Sequence, residues 1–181
     1  MDKLYIKFSL DDRQPRFGTE PMPEVGGTAT EPRGAKLCEY GWHACLPGAA
    51  GRYIGTEAYL VRLSGSTDSD EQKAVGSTIE TVARLPWTRA DMVDFARAAA
   101  ARASASADAA ASSYAAAAAA AYAAAYAAAA ARASAYAAAA AASAAYAAAS
   151  YARAAEYRAQ WQWIVDRLRE NGADLTGVEG V

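Results

Sequence analysis

From Thr88 to Asn171 the chain contains neither glycine nor proline, whereas residues 1–87 carry all 6 prolines and most of the 13 glycines. Glycine and proline are the residues that bend a chain and end its helices. A tract without either, built largely of alanine, has the highest helix propensity available to it over its whole length. The sequence therefore splits at Pro86-Trp87-Thr88 into two segments of different grammar.

The first segment reads as strands and turns. Leu4 to Leu10 alternates apolar and polar positions, as does Thr78 to Leu85, the period of a half-buried strand, and Ala58 to Leu63 reads as another strand. Asp11 to Gly34 is rich in Pro, Gly and Thr and reads as a long loop with one short strand. Ser64 to Asp70 reads as a polar turn, and Pro47 to Ile54 leaves room for a turn or two of helix.

The second segment has matching start and stop signals. Thr88 can cap the first helical N–H groups, with Asp91 three residues on in favour with the helix dipole. Arg167 and Arg169 precede Asn171 and Gly172, cations and a glycine where the last carbonyls need them. The expected fold is α+β: a small β-rich head over residues 1–87, one very long Ala/Tyr-rich helix over 88–171, and a flexible tail over 172–181. At ~1.5 Å per residue such a helix would be on the order of 125 Å long.

On a wheel of ~100° per step, Tyr114, Tyr122, Tyr126, Tyr136, Tyr146, Tyr151 and Tyr157 fall in one half, with Trp161 beside them. Each tyrosine can bury ~150–250 Å², so the stripe exceeds the ~300–600 Å² of an ordinary monomer's largest apolar patch. A head of this size covers only part of such a rod. The expectation is a homo-oligomer, or docking of a protein partner, through these eight residues. A solvated spacer and a helix folded back on itself are the alternatives.

The net charge is −2, which gives no global attraction for nucleic acid or anionic membrane. Basic residues in the tract are too sparse to follow a phosphate chain, and alanine broken by Arg and Ser makes a poor membrane span. Met1 to Phe8 has no apolar stretch of the signal-peptide kind. The expectation is a soluble, intracellular protein with no membrane partner and no nucleic acid. Cys38, His43 and Cys45 supply three soft ligands without a fourth, so neither metal nor cofactor is expected, and reduced thiols are.

Leu37 to Pro47, including Gly41-Trp42-His43-Ala44-Cys45, together with Tyr53, Ala58 to Leu63 and Lys73 to Ile79, resembles an uncharacterised domain family of phage and prophage genomes. That family has a GFHAC-like core, and Trp42 stands where Phe is usual. The resemblance covers residues 1–87 and implies phage origin, with residence in the cytoplasm of a host cell or in a virion, and an Ala-rich extension rather than a mechanism. Gly41 to Ala44, followed by Tyr53 and a strand, also looks like the middle of an ADP-ribosyltransferase-type NAD fold. That likeness implies a ligand pocket at Trp42, His43, Cys45 and Tyr53. Its first strand has no convincing Arg or His, and Glu57 and Glu80 are the candidates for its closing acid. No catalytic residue is assigned. Two functions follow as expectations: a non-enzymatic binding or assembly module, or an NAD- or nucleotide-binding protein, the latter in a counter-defence role.

Overall fold

A computed structural model describes residues 3–15, 20–47, 53–70, 72–109 and 153–181. Five strands, β1 (Leu4–Ser9), β2 (Thr28–Thr30), β3 (Trp42–Cys45), β4 (Glu57–Ser69) and β5 (Lys73–Arg84), precede two helices, α1 (Arg89–Ala109) and α2 (Arg153–Glu170). The strands pair antiparallel in the order β2-β5-β3-β1-β4, and β4 also pairs with β5. The pairings β1–β4, β4–β5, β5–β3 and β3–β1 thus close a circuit. Closure leaves few free strand edges. β2 extends the β3 side of β5 through Thr28 to Thr30 opposite Thr78 to Glu80.

Alternation sorts the strand residues into two cores. Ile6, Phe8, Ala58 and Leu60 face the helices, whereas Tyr59, Val61, Leu63 and Ile79 form a second cluster with Met22. The polar run Ser64 to Ser69 belongs to β4 rather than to a turn. It is held by pairing with β5, with a register shift between Ser64 and Thr67. Exposed polar strand residues carry no burial pattern, so pairing alone decides their state.

The single very long helix expected from the sequence does not form. Arg102 on α1 bonds Glu156 on α2 at 3.1 Å although 54 residues separate them; in one continuous helix they would lie ~80 Å apart. Arg167 lies 3.5 Å from Asp91 and 3.4 Å from Asp94. As residue numbers rise along α1 they fall along α2, so the two run antiparallel and the chain reverses between them. A continuous rod cannot bury Phe95, Trp161, Ile164 and Leu168 together, whereas two facing helices do so over the apolar face of the strands. The rod was the reason to expect a covering partner; over the described residues the cover for α2 is α1 of the same chain.

Both helix ends use the signals present in the sequence. Thr88 Oγ1 accepts from Asp91 N–H at 3.3 Å, and the Asp91 carboxylate accepts from Thr88 N–H at 2.8 Å, a reciprocal capping box. At the end of α2, Gly172 (φ +90°) donates to Arg169 O and Ala173 to Leu168 O, the Schellman arrangement. The chain then continues into the core rather than away from it. Leu175 and Val178 are buried, Glu179 N–H donates to Leu4 O, and Trp161 Nε1 donates to Gly180 O at 2.6 Å. No described helix is long and apolar enough to cross a membrane.

Candidate functional site

An open cavity of about 600 Å³ lies where β1, β3 and the start of β5 meet the loop from Glu31 to Gly41. It brings together the four residues singled out in the head: Trp42, His43, Cys45 and Tyr53. Gly41 turns the loop into β3 with φ +101°, and a Cβ there would stand 2.8 Å from Val75 Cγ2. Both the backbone angle and the close approach require glycine, which explains why it precedes the Trp-His pair.

His43 is a positioning residue rather than a free base. Its Nε2 accepts from Cys38 N–H at 3.2 Å, and its Nδ1 lies 3.1 Å from Gly41 O. An accepting Nε2 puts the proton on Nδ1, which then donates to the carbonyl. The ring thus ties Cys38, itself at φ +65°, to the base of the loop. Burial lowers the imidazole pKa, and the Lys73 and Lys7 ammonium charges lower it further.

The two cysteines differ. Cys45 is buried, and burial pushes its thiol up to about 11, which leaves it unreactive. Cys38 is exposed, and its sulfur helps to raise the pKa of Lys73. Among the described residues no cluster of His, Cys, Asp and Glu is arranged to hold a metal ion.

Sequence reading missed the cations of this cavity. Lys7 lies mid-strand between buried Ile6 and Phe8, and its Nζ donates to His43 O at 2.6 Å. Burial pulls its pKa down to about 8. Lys73 sits 5.8 Å from the centre of the Tyr53 ring. Lys7 occupies one of the polar positions of the β1 alternation, so the local pattern gave no signal for it. Of the carboxylates on the rim, Glu31 is held by Arg33 through two side-chain bonds of 2.7 and 2.9 Å. That pair sends the Glu31 pKa down to about 2, and Arg33 in turn covers the Tyr40 ring at 5.2 Å. Glu39 pairs with Lys36.

The candidate closing acids lie elsewhere. Glu57 accepts from Arg84, Tyr59 and the Arg13 backbone, and Glu80 pairs with Arg62; neither lines the cavity. Of the residues assigned to a helix interface, Trp161 is buried within its own chain and Tyr157 is half-buried on α2. Tyr114, Tyr122, Tyr126, Tyr136, Tyr146 and Tyr151 lie outside the described residues.

No family model matches the chain, and neither does any curated protein or solved structure.

Proposed function

We propose that the protein is a non-enzymatic recognition module whose ligand seat is the cavity of the β-rich head. The observation that carries this is convergence: β1, β3, the 31–41 loop, Tyr53 and the start of β5 all contribute to one opening of about 600 Å³. Small-ligand sites are commonly concave, aromatic-lined and of this size, with a few polar groups to orient the ligand. Tyr40, Trp42 and Tyr53 supply the rings, and Lys7 and Lys73 the charges. Among the described residues the buried Trp42 indole N–H has no hydrogen-bond partner, an unspent donor on a residue that lines the site. His43, with both ring nitrogens engaged in fixing the loop, supports binding rather than proton transfer.

The test is a fragment screen read by amide and indole NMR on the full chain. Hits are expected to shift the Trp42 indole and the Cys38 amide, and to leave the Trp161 indole in place. Fragments that bind only at other surfaces, or a library that leaves the Trp42 and Cys38 signals unmoved, would remove the proposal.

A further inference from the structure

We infer that the Lys7–Lys73 side of this cavity seats the phosphoryl group of a small phosphate ester. The inference rests on the recognition reading above and names the ligand's chemistry. Its first support is how the charges are paired. Of the lining carboxylates, Glu31 and Glu39 are committed to Arg33 and Lys36, and Glu20 stands exposed on the rim. Among the described residues, neither Lys7 nor Lys73 has a carboxylate within ion-pair distance. Lys7 instead donates to a neutral carbonyl, that of His43, and Lys73 stands over the Tyr53 ring.

The second support is cost. A part-buried ammonium whose only partner is a carbonyl is destabilising unless an anion completes it. Lys7 from β1 and Lys73 from β5 both line the cavity, and at the His43 ring their two fields outweigh the opposing field of the Asp70 carboxylate, so like charges from two strands face one opening. A folded protein that keeps this arrangement has a site prepared for negative charge. A phosphoryl group carries close to two charges at neutral pH and spreads them over three oxygens. It can accept from ammonium groups that approach from different strands, whereas a carboxylate offers one charge in a plane. The space beyond the lysines, walled by Tyr40, Trp42 and Tyr53, exceeds what inorganic phosphate fills and suits an ester with a flat organic part.

The test is calorimetric titration at constant ionic strength with inorganic phosphate, pyrophosphate, adenosine monophosphate and citrate. The phosphate compounds are expected to bind, the nucleotide more tightly than phosphate alone, and citrate to bind at least about tenfold more weakly. Lys73→Met is expected to weaken phosphate-ester binding about tenfold, the loss of one charge-assisted contact. Lys7→Met is expected to do the same, and Lys7→Arg keeps the charge should the methionine variant fail to fold. Arg89→Gln, which removes a cation paired with Asp11 outside the cavity, is expected to change nothing. Equal binding of citrate, or phosphate binding indifferent to Lys73→Met, overturns the inference. Fragments that fill the cavity while every phosphate compound fails would overturn it too and leave the recognition reading intact.

Discussion

At the residue scale the head is organised around His43. Its neutral imidazole holds two backbone groups, Cys38 N–H and Gly41 O, and these set the loop that frames the cavity. Because burial holds the folded-state pKa below the ordinary 6.5, the unfolded chain binds a proton before the folded chain does. Stability contributed by His43 is therefore complete above about pH 6.5 and falls as the pH drops through it. Urea midpoints of the protein and of His43→Gln should diverge at neutral pH and draw together towards about pH 5. A constant gap across that range would mean that the ring is not held neutral. Trp42, His43, Cys45 and Tyr53 could be picked out as a group because they sit in one compact motif and its immediate sequel. Lys7 could not, since its importance comes from which carbonyl it meets across the β1–β3 gap, and strand pairing is not written in local pattern.

At the element scale, β1 and the second half of β5 were legible from their alternation, and the first half of β4 from its apolar, β-branched and aromatic residues, which are buried on both faces. The far half of β4 was not, being exposed and polar on both faces. The ends of the helical segment were also legible, down to the Thr88–Asp91 box and the Gly172 stop. The reversal between α1 and α2 was not, because an alanine tract carries no breaker, and the deciding contacts are spread over distant positions. Trp163 packs edge-on against Phe95 at 5.6 Å and Trp87 at 6.3 Å, and Trp87 meets Phe8 at 5.3 Å. This aromatic chain joins α2, α1 and β1 and selects the folded-back arrangement over the rod. The C-terminal segment adds to the same core through Leu175 and Val178. At ~1.5–3 kcal/mol for each fully buried aliphatic side chain, truncation before Asp174 should cost about 3 kcal/mol or more, measured by denaturant unfolding. A truncated chain as stable as the whole would show that this segment only rests on the surface.

At the scale of the whole molecule, the described helices back the strands and the cavity lies at the head, so the recognition proposed above belongs to the head. Among the described residues only Val25 and Val181 are large hydrophobics left exposed. This arrangement depends on the chain turning back so that α1 and α2 lie side by side. Spin labels at Ala101 and Arg158, both exposed, in a Cys38→Ser background, measure that directly by pulsed electron resonance. Two packed helices with axes ~8–10 Å apart predict a label separation below ~30 Å. A single continuous helix would put the labels about 85 Å apart, and a distribution lacking the short distance would contradict the account.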